Sequence, residues 1–146
     1  MSVAFQVQLK IRKPVAEVFE AVRDERKLTG YFVQNASGPF ATGATLTWKF
    51  DEAPEPFPVQ VREVVKNEKI VFDWPTADPK VLTRVTMTFK VIDAANTMVQ
   101  IAEGGWDNTP DGLRQSHDNA GGWMHMMVCL KGYLEYGINL RAGGAF

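Results

Sequence analysis

The chain has 146 residues and a formal net charge of −1, with 45% hydrophobic and 23% charged residues. These values are typical of one soluble domain, which we expect to span residues 1–146. The near-neutral charge provides neither a basic field for nucleic acid nor a polybasic patch for acidic lipid. The sequence also lacks an apolar run of about eighteen residues and a signal-peptide core, so we expect no membrane insertion. Cys129 is the single cysteine and cannot form an internal disulfide, which favours a cytoplasmic location.

Most of the chain alternates polar and apolar residues, a pattern that is typical of strands with one buried face. The predicted strands are residues 4–11, 44–50, 59–65, 69–74, 82–92 and 97–103. The proline-rich segment 51–58 and the glycine-rich segment 104–113 predict loops. After the first strand, Pro14 predicts the start of one short helix, and a second short helix is predicted at residues 25–32.

Residues 118–141 predict one long helix near the end of the chain. On a helical wheel, one apolar stripe contains Trp123, Met127, Leu130, Leu134 and Ile138. A long helix that follows antiparallel strands buries such a stripe against the sheet. The sequence therefore predicts an α+β fold, in which a curved antiparallel sheet surrounds the C-terminal helix and two short helices follow the first strand.

Three stretches of the chain carry a family resemblance. They are IRKPVAEVFEAVRDERKLTGYF at residues 11–32, Gly43 to Trp48-Lys49-Phe50 followed by VREVVKNEKIVFDW at 61–74, and Gly122-Trp123 followed by LKGYLEYG at 130–137. They resemble the START-like, or SRPBCC, superfamily, in the branch named for the activator of a heat-shock chaperone ATPase (AHSA-like). The resemblance implies a helix-grip fold. It also implies membership of a superfamily whose proteins bind hydrophobic or amphipathic small molecules and, in some branches, transform them.

The inward rows of the strands and the helix stripe predict the walls of a ligand pocket. The predicted ligand-binding residues are Trp48, Phe72, Trp74, Met87, Glu103, Trp106, Trp123, Met127 and Leu130. Glu103 and Glu63 each extend an apolar row that we expect to face inward, and a carboxylate on such a face needs a partner. We favour a structural role for these carboxylates, satisfied by backbone groups, an indole N–H or an arginine, over a role in acid–base catalysis.

Other residue types that can carry chemistry are poorly placed for it. His125 and Cys129 lie four residues apart, a spacing that can put two metal ligands on one helix face. The helical wheel puts both opposite Trp123, away from the pocket, so we expect surface or interface residues. Cys129 has no helix N-terminus beside it to activate the thiol. Adjacent helical residues diverge by about 100°, which excludes Ser116-His117-Asp118 as a triad. We therefore predict no catalytic residue, no metal and no cofactor.

The sequence favours a protein that binds a small hydrophobic or amphipathic molecule between the sheet and the long helix, and it does not decide whether the protein is an enzyme. One alternative is a stress-related accessory or interaction protein with a chaperone partner. Another is a cyclase- or hydratase-type enzyme that uses Glu103 or Glu63. A second apolar strip on the long helix, formed by Cys129, Tyr133, Tyr136 and Leu140, leaves homodimerisation through that helix open.

Overall fold

The computed structural model describes residues 2–146, which form one seven-stranded antiparallel sheet and three helices. The strands are β1 (Ser2–Ile11), β2 (Asn35–Ala36), β3 (Thr45–Lys49), β4 (Phe57–Val65), β5 (Lys69–Pro75), β6 (Leu82–Asp93) and β7 (Asn96–Asp107). The helices are α1 (Val15–Arg23), α2 (Glu25–Leu28) and α3 (Pro110–Tyr136). The strand order is β1-β7-β6-β5-β4-β3-β2, so the first strand pairs with the last. The predicted helix-grip fold is confirmed.

Helices α1 and α2 connect β1 at one edge of the sheet to β2 at the opposite edge. Pro14 precedes the first turn of α1, as its fixed φ favours. The Asp24 carboxylate accepts a hydrogen bond from the Arg26 backbone N–H at 2.9 Å and so caps α2. The sequence did not predict the two-residue strand β2, which pairs with β3.

Helix α3 begins earlier than the sequence predicted, at Pro110 instead of residue 118. The Thr109 side chain caps its first turn by accepting from the Gly112 N–H at 3.0 Å, and Pro110 occupies the first turn. Gly112 packs so closely on the Asp107 carbonyl that a Cβ there would clash. Because β7 also continues to Asp107, the predicted loop at residues 104–113 was wrong.

Helix α3 also ends earlier than predicted, at Tyr136. Gly137 has φ of 67°, and its N–H donates to the carbonyls of Gly132 and Tyr133, which closes the helix. Ile138 therefore leaves the predicted apolar stripe and is 47% exposed. The tail at residues 138–146 then turns back along the helix. Leu140 packs on Gly132, where a Cβ would lie 3.0 Å from Leu140 Cδ1.

Side chains fill the space between the concave face of the sheet and α3. The Trp48 and Phe72 rings pack with centroids 5.6 Å apart. The helix contributes Trp123, Met127 and Leu130, which are all buried as predicted, while Leu134 is partly buried. None of the helices formed by residues 2–146 combines the length and hydropathy that a membrane crossing requires.

The second apolar strip of α3 packs within the chain. Cys129 is fully buried, and the Tyr133 ring lies 5.2 Å from that of Tyr31, in the segment that follows α2. Tyr136 is exposed, and its hydroxyl accepts a hydrogen bond from Arg12 at 2.8 Å. The helix is therefore wedged between the sheet, this segment and the tail, which accounts for its wide apolar arc. Homodimerisation stays a prediction.

A carboxylate clip joins the end of β1 to the end of α3. Glu135 accepts from the Arg12 backbone N–H at 3.0 Å, from Arg12 Nε at 2.6 Å and from Lys131 Nζ at 2.5 Å. Burial opposes the charged form and is the largest single influence on this group. The hydrogen bonds from Arg12 and Lys131 together outweigh burial and lower the pKa of Glu135 to about 2.

The clip predicts a pH-dependent contribution to stability. Because folding lowers the pKa of Glu135, its contribution is present above the ordinary value of 4.5 and is lost as the pH falls toward about 2. We expect Glu135→Gln to reduce the free energy of unfolding by about 1–3 kcal/mol at pH 7. The difference from the wild type should close between about pH 4 and pH 2. Urea denaturation across this range measures it.

The matched control for the clip is Glu17→Gln, because the Glu17 carboxylate is 47% exposed and lies 4.0 Å from Lys13. Its stability difference should stay small at every pH. A Glu135→Gln difference that is constant from pH 7 to pH 2 would contradict the account of the clip.

Candidate functional site

A buried carboxylate joins three strands to helix α3. Glu103 on β7 is 1% exposed and lies where β5, β6 and β7 meet the first half of α3. Its Oε2 accepts from Trp74 Nε1 at 2.8 Å and from Thr83 Oγ1 at 2.6 Å. Its Oε1 accepts from Trp123 Nε1 at 2.8 Å, and Asn119 Nδ2 donates to both oxygens at 3.1 Å.

These contacts fix the orientation of each donor. An indole N–H can only donate, and an ionised carboxylate can only accept, so the four groups are complementary to Glu103. The same logic orients Asn119, which must present its NH₂ group to Glu103. Its carbonyl oxygen therefore remains as an acceptor for another partner, and Asn119 lines both cavities.

Cavity 1, with a volume of about 250 Å³, lies beside this network. It is an open concavity that is lined by α3, β5, the turn after α2, the loop between β3 and β4, and the tail. The apolar walls are Phe32, Phe50, Ala53, Trp74, Trp123 and Phe146. The polar lining consists of Glu52, Asn119, His125 and Arg141, with Gly122 at the helix surface. The Trp74 and Trp123 rings lie 5.2 Å apart, each held by Glu103.

Cavity 2, of about 420 Å³, adjoins cavity 1 and shares Phe50, Trp74 and Asn119 with it. The rest of its lining comes from Phe57, Trp106, the segment 75–77, and the first turns of α3. These turns contribute Arg114 and Asp118, which form an exposed ion pair at 3.6 Å. The rim of cavity 2 is therefore more polar than that of cavity 1. In the wall that the two cavities share, Glu103 fixes the orientation of Trp74 and Asn119 by hydrogen bonds.

The predicted site residues separate into two groups. Trp74 and Trp123 line cavity 1, Trp74 and Trp106 line cavity 2, and Glu103 lies behind the wall that the two cavities share. The other predicted residues are at most 1% exposed and, within residues 2–146, line neither cavity: Trp48, Phe72, Met87, Met127 and Leu130. Ligand binding at the predicted residues stays a prediction.

Several residues of cavity 1 were not predicted from the sequence. Asn119 could have been found, because it precedes Trp123 by one helical turn and shares its face. Arg141 could not, because the predicted helix extended to residue 141, whereas the chain turns back after Gly137. Glu52 and Phe50 belong to a loop whose position follows from tertiary packing alone.

His125 and Cys129 do not occupy the surface positions that the helical wheel predicted. His125 lines cavity 1 and packs against Phe146 in a tilted arrangement, with ring centroids 5.3 Å apart, because the tail covers that side of α3. Cys129 is buried, and its Sγ lies 3.7 Å from His125 Nε2. Burial raises the pKa of the Cys129 thiol, although Arg141 partly opposes this, so the thiolate is disfavoured.

Glu63 does not face the interior as the strand pattern predicted. The pairing of β4 with β5 shifts by one residue between Val61 and Glu63, and this bulge turns the Glu63 side chain outward. Its carboxylate is 49% exposed and pairs with Lys69 at 2.6 Å. Across the described part of the chain, residues 2–146, no three His, Cys, Asp or Glu side chains are grouped to hold a metal ion.

The curved sheet that grips a long C-terminal helix defines the helix-grip class of proteins. Within this class, the chain belongs to the family described as Activator of Hsp90 ATPase homolog 1-like protein, whose model matches residues 12–135. The resemblance to the AHSA-like branch is therefore confirmed.

Solved structures of related proteins have the same architecture. SSP2350 from Staphylococcus saprophyticus is 27% identical, with a TM-score of 0.81 over 97% of this chain and 98% of that one. DynU16, from the dynemicin biosynthetic locus, is 25% identical with a TM-score of 0.80; the match covers 92% of this chain and 48% of DynU16. The Aha1 dimer from Colwellia psychrerythraea is 19% identical with a TM-score of 0.78, and the match covers 92% of this chain and 98% of that one. At this identity, the likeness shows a common fold and nothing further. Among curated proteins, none matches the sequence.

The Glu103 network predicts a contrast between the two carboxylates that the sequence singled out. Glu103→Gln puts an NH₂ group where a donor already points, so we expect a loss of about 1–3 kcal/mol in the free energy of unfolding. Glu63→Gln changes only an exposed pair and should stay within about 0.5 kcal/mol of the wild type. Urea denaturation followed by tryptophan fluorescence tests both variants, and equal small effects would be incompatible with the network.

Proposed function

We propose that this protein binds a small amphipathic molecule in cavity 1, with an apolar, ring-containing body against the aromatic walls. The observation that carries the proposal is the aromatic wall whose Trp74 and Trp123 rings Glu103 holds in place, beside Asn119, which also lines cavity 1. Largely apolar concavities with a few fixed polar groups are the usual form of small-molecule sites.

The size of cavity 1 limits the ligand. An apolar cavity of roughly 150 Å³ accepts one benzene ring, so about 250 Å³ suits a body of two fused rings. Gly122 and Phe146 at the rim are exposed, which leaves room for a larger ligand to project. The acceptor of Asn119 favours a ligand with a hydroxyl or N–H donor.

The network argues against catalysis by the two carboxylates. All the acceptor positions of Glu103 are occupied by protein donors, and the group is 1% exposed, so it orders the wall without reaching a ligand. Glu63 lies on the outer face in an ion pair. We therefore assign Glu103 a positioning role.

The main alternative is an interaction role, which the description of the family as activators of an Hsp90 ATPase suggests. The two proposals make different predictions about small molecules. The binding proposal requires saturable binding of at least one compound with such a body, such as 2-naphthamide, N-phenyl-1-naphthylamine or 2-naphthoate, measured by calorimetry and by quenching of tryptophan fluorescence. Absence of saturable binding of all three compounds up to their solubility limits would favour the interaction role.

Two adjacent glycines provide a matched pair of variants. Gly121 and Gly122 are both exposed within α3, and a Cβ at either position meets no atom within 4 Å. Alanine at either site should therefore stabilise the helix by about 0.5–1 kcal/mol. Only Gly122 lines cavity 1, so only Gly122→Ala places a methyl group in the ligand's space.

We expect Gly122→Ala to weaken 2-naphthamide binding about tenfold or more, because one added methyl group in a pocket has an effect of this size. Gly121→Ala should leave the affinity unchanged. Calorimetric titration measures the affinities, and thermal unfolding verifies that both variants are stabilised. If both alanines changed the affinity equally, the ligand would not occupy cavity 1.

A further inference from the structure

We infer that cavity 1 selects ligands with an anionic head group, which Arg141 binds in exchange for its ion pair with Glu52. The inference rests on the proposed small-molecule function and adds the chemical class of the ligand to it. A carboxylate or another singly charged oxyanion on a ring-containing body fits the site.

Arg141 is a cation fixed at the wall of an apolar cavity. The chain turns back after Gly137, and this places the guanidinium about 6 Å from the ring centroids of Phe50 and Phe146, at 5.9 Å and 6.0 Å. Its side chain is only 7% exposed. A guanidinium so shielded from water requires a partner with acceptor oxygens.

The protein partners of Arg141 use only part of its donor capacity. One terminal nitrogen donates to Glu52 at 2.5 Å, and the other lies 3.4 Å from His125 Nδ1. Among residues 2–146, Arg141 Nε has no acceptor. Because a guanidinium has five N–H donors and binds carboxylates in a bidentate manner, Arg141, which lines cavity 1, can donate further hydrogen bonds to the oxyanion of a ligand.

The two members of the ion pair differ in their access to water. The Glu52 side chain is 27% exposed and lies in the loop between β3 and β4, beside Ala53 and Pro54. Glu52 can therefore be solvated when it leaves the pair, whereas Arg141 cannot. An incoming anion restores the partner that Arg141 needs, while a neutral ligand leaves the pair intact and gains no such contact.

The exchange can be tested with two probes that have the same body and different heads. 2-Naphthoate carries a carboxylate, and 2-naphthamide carries an uncharged amide of nearly the same shape. Glu52→Gln removes the competing carboxylate and should strengthen 2-naphthoate binding about tenfold, the scale of one charge-assisted hydrogen bond. Its affinity for 2-naphthamide should change less than about twofold.

The matched control is Glu55→Gln, which makes the same charge change on the same loop at an exposed residue that does not line cavity 1. At physiological salt, screening limits the effect of this exposed charge outside the cavity, so neither affinity should change by more than about twofold. Arg141→Gln should abolish the preference for 2-naphthoate over 2-naphthamide, with circular dichroism verifying that the variant is folded. If Arg141→Gln does not fold, the comparison of Glu52→Gln with Glu55→Gln still tests whether an anionic ligand competes with Glu52 for Arg141.

The outcomes separate the two proposals. If 2-naphthamide binds but Glu52→Gln and Glu55→Gln affect 2-naphthoate equally, or not at all, the anion inference is overturned and the binding function stands. If Arg141→Gln folds and retains the preference for 2-naphthoate, the inference is also overturned. If neither compound binds the wild-type protein, the proposed function fails, and the inference fails with it.

Discussion

The structure depends on the buried carboxylate of Glu103. This single group accepts hydrogen bonds from β5, β6 and α3, through Trp74, Thr83, Asn119 and Trp123. A buried carboxylate without such partners is strongly destabilising. The hydrogen bonds form only when the helix lies close to the sheet, so the network stabilises that packing. It also fixes the orientations of Trp74 and Asn119, which line both cavities, and of Trp123, which lines cavity 1.

The location of the cavities follows from how the remaining interior is filled. Five aromatic rings surround Trp48, so side chains fill the space between the sheet and α3 around this residue. These rings are Phe32, Phe40, Phe57, Phe72 and Trp74. Cavities 1 and 2 lie beside the first half of α3, and the tail and the loop between β3 and β4 line cavity 1 there. The bound molecule that we propose therefore lies at the edge of this packed core, against the indole rings of Trp74 and Trp123.

The fold could be predicted from sequence because it rests on local patterns. Strict alternation identified the long strands, and one apolar stripe identified α3. The interpretation of Glu103 as a carboxylate satisfied by indole N–H groups also agrees with the structure. Features set by single residues or by distant packing were missed. A one-residue bulge turned Glu63 outward, and Gly137 ended α3 before Arg141.

The same limits explain why the site was only partly predicted. A helical wheel shows one face of α3, but it does not reveal what covers the opposite face. The tail covers His125 and places Arg141 at the cavity, and no local pattern around residues 138–146 indicates this reversal. Tertiary contacts also decide which buried aromatics are core and which line a cavity: Phe72 and Trp74 are two residues apart on one strand, yet only Trp74 lines the cavities.

The central claim is that a ligand binds against the wall that Glu103 orders. The four tryptophan indole N–H signals of ¹⁵N-labelled protein, followed during titration with 2-naphthamide, test it most directly. The account predicts that the signals of Trp74 and Trp123 shift saturably with one common affinity. The signal of Trp48, which lies in the filled core, should stay in place. Saturable shifts of Trp106 and Trp74 without a shift of Trp123 would place the ligand in cavity 2, which both of them line, and would contradict the account. The absence of saturable shifts at Trp74 and Trp123 would also contradict it.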